Sequence, residues 1–340
     1  MAAALPALAA DKLRIGVLTD LTSILADDMG MGSIIAAQMA IEDFGGSIEG
    51  RGIELLTADH QEKPDIGLAI ARQWFDSDVA AIFDVPNSAI ALGVSDLTRA
   101  RNRVFCAGGA STSELTNTRC SPNTIAWAAD NYGEGHSTAA AVLANGGRNW
   151  FFLTSDYALG YDLEAQGMAA VRKGGGRIAG SVRVPMGCPD FSPFPTQAQQ
   201  SGADVLMLSV VGADNVNSIK QAHEFGLTQT MRITAPTITQ SDVHSIGLAA
   251  AQGILKVANF DWNLNDDTRA FSRRFIARLP KHWPPTHLQA GVYAAVLHFL
   301  KAVKGGVAPL DGRAVVAEMK RLPVQDPIFG HATIRDDGRV

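Results

Sequence analysis

Apolar and polar positions alternate along this chain in two rhythms. The run "KLRIGVLTDL" (12–21) is apolar almost throughout, as a strand buried on both faces would be, and "GMGSIIAAQMAIEDFGG" then spaces Ile34, Ile35, Met39, Ala40 and Phe44 at a helical period that Gly45 and Gly46 stop. "GIELLTADH" predicts the next strand, "DIGLAIARQWFDSD" a helix, "VAAIFDV" a strand, "AIALGVSDLTRARN" a helix and "RVFCAGG" a strand. Such alternation argues for a parallel sheet with helices on both faces. After a break near "CSPNTIAWAADNYGEG" the pattern restarts. Strands are expected at "NWFFLTSD", "RIAGSVRVP", "ADVLMLSVV", "RITAPT" and "GILKVANFDW", with helices "GHSTAAAVLANGG", "GYDLEAQGMAAVRKGGG" and "NVNSIKQAHEFG" between them. From Asp267 onward the reading is mostly helical. The fold class is therefore α/β, with two doubly wound parallel-sheet lobes.

Open parallel sheets bind ligands in the crevice outside the carboxyl ends of their strands. The loops that follow strands here are "TDLTSILADDMG", "DVPNSA", "AGGASTSELT", "SDYALGYD", "VVGADN" and "APTITQSD". Their residues are hydroxyls, amides, small residues and a few acids. Two such crevices facing each other would make a cleft.

Length agrees with this organisation, since 340 residues exceed the size at which one hydrophobic core usually keeps growing. Net charge is −5 and no block of like charges occurs, which disfavours nucleic acid and anionic membrane surfaces as partners. No run of eighteen apolar residues predicts a membrane span. The opening "MAAALPALAA" carries an A-x-A pattern at Ala7 to Ala9, as at the end of a secretory signal, so residues 1–10 read as a residual signal peptide or an added tail. Cys106, Cys120 and Cys188 lie in no C-x-x-C and at no zinc-like spacing from histidine, so no metal site is expected. An exported chain could join Cys106 to Cys120 or Cys120 to Cys188, and three reduced thiols are the remaining option.

Catalytic and phosphate-binding chemistry finds little support. "GMGSII" has Gly30 and Gly32 but Ile35 in place of the third glycine, no lysine follows, and Asp27 and Asp28 precede it. "GASTS" lacks the second glycine of a nucleophile elbow, and the histidines are scattered. No catalytic residue and no cofactor is expected. "GGASTSELT" offers instead close backbone approach, free amide hydrogens at a helix start, and the hydroxyls of Ser111, Thr112 and Ser113, which suit a carboxylate without lysine or arginine. Thr112 or Ser113 also suits a plain N-cap. One strand earlier, Asn87 and Ser88 repeat the arrangement. Tyr157 and Leu159, with Phe260 and Trp262 near a junction, offer an apolar wall or hinge packing.

The ordered series "KLRIGVLTDLT", "AAQMAIEDFGG", "VAAIFDVPNSAIALGV", "AGGASTSELT", "FFLTSDYALGYDLEAQGMAAVRKGGG" and "GVYAAVLHFLKAV" resembles the type I periplasmic solute-binding proteins of ABC transporters, in the branch that includes branched-chain amino acid binders. The resemblance runs from about Lys12 to the end. It implies two lobes joined by a three-crossover hinge, with 11–127 plus 262–322 as lobe 1 and 128–261 plus 323–340 as lobe 2. It further implies a monomer in the periplasm that closes over a small molecule and delivers it to an inner-membrane permease. Asn87, Ser88, Gly109, Ala110 and Ser111 would hold the ligand carboxylate; Tyr157 to Leu159, Gly212 with its neighbours, and Thr237 would face them from the second lobe, with Asp27 and Trp262 completing the site. Two departures from amino-acid binders stand out: Leu159 replaces the tyrosine usual before Gly160, and Thr237 stands where an acid meets the ammonium. A buried ammonium without a carboxylate is costly. The resemblance thus implies a carboxylate without an amine, such as an aromatic acid of the benzoate, phenylpyruvate or hydroxycinnamate type. A binder of amino acids or amides, and an α/β enzyme such as an amidase, are the alternatives.

Overall fold

The computed structural model describes residues 12–127 and 129–340. The expectation for residues 1–10 lies outside them. In chain order come β1 (Leu13–Thr19), α1 (Gly30–Phe44), β2 (Ser47–Ile48), β3 (Arg51–Asp59), α2 (Pro64–Asp76), β4 (Ala81–Asp84), α3 (Ser88–Arg101), β5 (Val104–Ala107) and β6 (Thr124–Ala126). The second series is α4 (Asn131–Ala144), β7 (Asn149–Ser155), α5 (Ala158–Lys173), β8 (Arg177–Val184), α6 (Pro193–Gln200), β9 (Val205–Ser209), α7 (Ala213–Glu224), β10 (Arg232–Thr234), α8 (Gln240–Ile246) and α9 (Leu248–Ala251). The chain closes with α10 (Asp266–Arg278), α11 (His287–Lys304), α12 (Gly312–Arg321), β11 (Val324–Asp326) and β12 (Gly330–Ala332).

Two separate sheets result, in the orders β2-β3-β1-β4-β5-β6 and β10-β9-β7-β8. Within these two sheets all pairings are parallel except the β2–β3 hairpin, and β11 and β12 form a separate antiparallel pair. Each sheet is covered on both faces, which is why its strands read as continuous apolar runs. Along β1 and β4, Ile15, Val17 and Phe83 enter one cluster with α1 and α11, while Leu18 and Ile82 enter another with α2 and α3. In the second sheet Phe151, Leu153, Leu206 and Leu208 face one way, and Trp150, Phe152, Val205 and Met207 the other.

Two sequence expectations are corrected. "GILKVANFDW" forms no strand; Leu255 makes a single bridge to Thr234, and the chain then leaves for the first core, where Phe260 is buried. The segment 323–340, assigned above to lobe 2, packs on lobe 1: Val324, Ile328 and Ile334 join the core of α1 and α11, and Arg339 bridges to Ala126 beside β6. The described chain passes between the sheets from β6 to α4 and again at 255–260. The three cysteines are free thiols, Cys106 buried in the first core, Cys188 in the second and Cys120 exposed. Burial alone pushes the Cys106 thiol far above its ordinary range.

Candidate functional site

The carboxyl ends of the two sheets face one another, and the loops leaving them make the walls of a cleft. Asp20 shapes the loop after β1, accepting the Thr22 and Ser23 amides at 3.2 and 2.8 Å and the Leu25 amide at 2.8 Å. That loop carries Leu25, Asp28 and Met29 inward. The start of α11 holds it there: Thr286 Oγ1 donates to the Asp28 carbonyl (2.9 Å) and Gln289 Nε2 to that of Met29 (3.1 Å). A capping box of Thr286 and Gln289 fixes this helix start.

After β5 the chain runs through Gly109, where an added Cβ would stand 2.0 Å from Met29 Cε and 2.9 Å from Pro86 Cα. Only glycine lets these strand ends approach so closely. From the second lobe, Gly212 at φ +55° plays the same part, with its Cβ position 2.1 Å from the Ile24 carbonyl oxygen. The Ala213 amide donates to that oxygen at 3.0 Å.

A cavity of about 30 Å³ remains between the walls, lined by Leu25, Asp28, Met29, Pro86, Gly109, Ser111, Glu134, Leu159, Val211, Thr237, His287 and Leu288. Gly109, Ser111, Leu159 and Thr237 of the sequence-derived set therefore meet at one place. Thr237 has its hydroxyl engaged, donating to the Val210 carbonyl (2.6 Å) and accepting from Asn215 (3.1 Å). Ala110 is buried behind the wall with the α2 and α3 cluster.

The other candidates do not line this cavity. Asn87 caps α3 and donates to Glu62 Oε2 at 2.8 Å, and Ser88 is buried in the first turn of that helix. Tyr157 ends the loop before α5 with its hydroxyl buried and unpartnered. Asp27 pairs with Lys281 at 2.5 Å on the surface. Trp262 packs on the first core and lines a different pocket, beyond Lys256. The start of the short 3₁₀ helix Ser113–Thr116, read above as a seat for a carboxylate, is occupied by one from the protein: Ser113 N and Oγ donate to Asp162 at 2.7 and 2.9 Å.

Sequence reasoning missed the charged part of the site. Asp28, Glu134 and His287 are each about 3% exposed and line the cavity, with Lys256 and Asp242 behind them. Burial pushes Asp28 and Glu134 up to about 7; the Thr239 hydroxyl, 2.5 Å from Asp28 Oδ1, and then the Lys256 ammonium pull Asp28 back, and Lys256 does so for Glu134. Burial raises Asp242 well above the carboxylate range and drives His287 well below its own, with Lys256 adding to the latter. The Lys256 ammonium is lowered by the same burial, opposed by Glu134, Asp242 and Asp28. These residues are far apart in sequence, and no spacing connects them.

A family model described as periplasmic binding protein matches residues 12–340. The chain belongs to this family. A periplasmic binding protein from Burkholderia mallei is 38% identical with a TM-score of 0.93, covering 97% of this chain and 87% of that one. A branched chain amino acid ABC transporter periplasmic ligand-binding protein from Burkholderia xenovorans LB400 is 39% identical, with a TM-score of 0.83 and coverage of 96% and 87%. At 24% identity and a TM-score of 0.87, a solute-binding protein of an ABC transporter from Rhodopseudomonas palustris BisB5, in complex with 3,4-dihydroxybenzoic acid, covers 97% of this chain and 90% of that one and shares the fold. No curated protein matches. As a family member the chain is a solute-binding receptor of the ABC transporter type, and no helix among its described residues is long and apolar enough to cross a membrane.

Proposed function

We propose that this periplasmic binding protein captures a small carboxylate with an apolar, aromatic body between its lobes and presents it to an inner-membrane permease from the periplasm. The observation that carries this reading is the composition of the cleft cavity. Ser111, in the loop after β5, supplies a hydroxyl donor, and Leu25, Met29, Leu159, Val211 and Leu288 supply an apolar wall drawn from both lobes. Among the described residues no lysine or arginine lines it, so the ligand's negative charge is met by a neutral donor. At about 30 Å³ the cavity has room for about two waters, so a ligand enters as the walls part and is enclosed as they meet.

A thermal-shift panel of aryl acids, amino acids and amides tests the proposal, with benzoate, hydroxybenzoates, phenylpyruvate, leucine and valine as probes. A protein of the same fold holds 3,4-dihydroxybenzoic acid, which makes aryl acids the natural first arm. Stabilisation by an aryl acid at micromolar to millimolar concentration is expected. Response to leucine or valine with none to any aryl acid would sink the aromatic reading. That outcome is the second reading, an amino-acid receptor, which Asp28 and Glu134 favour because they put carboxylates where an ammonium could be met.

A further inference from the structure

Glu134 lies in the first turn of α4, buried, and lines the cleft cavity together with Ser111 and Gly109. Its two oxygens have different surroundings. Oε1 stands 3.5 Å from His287 Nε2. On the other side of that ring, Lys256 Nζ lies 3.4 Å from Nδ1 while also donating to the Ile238 carbonyl. An ammonium has donors only, so the Nδ1 it faces is the lone-pair nitrogen and the ring hydrogen sits on Nε2, directed at Glu134. Lys256 thus sets the tautomer, which leaves the ring hydrogen on the side of Oε1. Oε2 is buried with no hydrogen-bond partner among the described residues.

A buried acceptor left without a donor is costly, and none of the cavity's described lining groups, the Ser111 hydroxyl included, donates to Oε2. The Thr237 hydroxyl donates to Val210, Asp28 is a fellow carboxylate held by Thr239, and the rest of the lining is largely apolar. What can satisfy Oε2 is a group entering the cavity. We propose that Glu134 is a specificity-determining residue, accepting a hydrogen bond from a hydroxyl or ammonium on the same ligand whose carboxylate meets Ser111, with His287 as its positioning residue. This rests on the small-carboxylate reading above and narrows it to acids that carry a second, donor-bearing group.

Titration calorimetry on two matched pairs tests it: 4-hydroxybenzoate against benzoate for the hydroxyl, and L-phenylalanine against 3-phenylpropionate for the ammonium. The wild-type protein should favour the donor-bearing member of one pair by about tenfold or more. Glu134→Ala should bring that ratio to within about threefold of one, and a circular-dichroism spectrum and a cooperative thermal transition like those of the wild type show that the variant is folded. His287→Gln, which still donates, should keep the ratio, and His287→Leu should lower it. Equal affinity within both pairs for the wild type, or a ratio that survives Glu134→Ala, overturns this inference and leaves the carboxylate reading standing. Binding of none of the four overturns both.

Discussion

Ser111, expected from its place after a strand, lines the cavity of the proposed site. Its hydroxyl lines the cavity and its carbonyl accepts the Asn131 amide at 2.7 Å, so the backbone is tied to the start of α4 while the side chain is left for a ligand. Ser111→Ala should weaken binding of a carboxylate ligand by about 1 kcal/mol, or roughly fivefold, and by more if the bond is charge-assisted. Calorimetry that finds affinity unchanged would reduce Ser111 to a backbone anchor. It was legible because small and hydroxyl residues at a strand end have few other uses. Gly109 shows itself in the same way. Asp28, Glu134, Lys256 and His287 did not, for a physical reason: a lone charged residue is exposed far more often than buried, and what sets these apart is a mutual proximity created by packing. The one trace in the chain is Lys256 standing between apolar residues in "GILKVANF", which reads equally as an edge strand.

Between elements, the two lobes are joined across the cleft by a few directed bonds. The Asp162 carboxylate on α5 collects four: the Ser113 amide and hydroxyl at 2.7 and 2.9 Å, Asn131 Nδ2 at 3.0 Å and Gln166 Nε2 at 3.0 Å. The two bonds from Ser113 reach across from lobe 1. They tie the two walls directly, so they favour the arrangement in which the walls meet. Asp162→Ala should therefore raise Kd by about tenfold, chiefly through faster ligand release, with the order of ligand preference unchanged. Surface plasmon resonance reads both rates, and an unaltered dissociation rate would show that closure does not draw on this contact. At this scale the alternation of apolar runs and helical stretches disclosed nearly every sheet strand, because strands buried on both faces and amphipathic helices differ in period. The pairing of Ser113 with Asp162 was not disclosed, since a free helix start looks alike whether a ligand or a distant aspartate will fill it.

For the whole molecule, the two-sheet plan follows from the restart of the pattern, whereas the seat of residues 323–340 does not. Val324, Ile328 and Ile334 are apolar residues that either lobe could bury, and only the shape of the first core decides. What the assembled molecule adds is a set of carboxyls held away from water. Asp84, at the end of β4 with φ +79°, is pushed up to about 7 by burial, against the pull of the Thr19 and Ser33 hydroxyls and with a further push from Asp20. Unfolded, its pKa returns to near 3.8. Between those values the folded chain keeps a proton that the unfolded chain has released. Stability therefore falls as pH rises through the window, by up to about 1.4 kcal/mol per unit for one group, and levels off above it. Asp28, Glu62 and Glu134 act in the same sense, while His60, lowered to about 4 by burial, acts oppositely below 6.5. Asp84→Asn isolates one contribution, and asparagine tolerates the left-handed backbone there. Urea unfolding at pH 5, 6, 7 and 8 should show the variant gaining on the wild type as pH rises to about 7 and holding its advantage beyond. A difference constant from pH 5 to 8 would mean that Asp84 keeps one charge state throughout, and that the wall behind Gly109 does not hold its proton through folding.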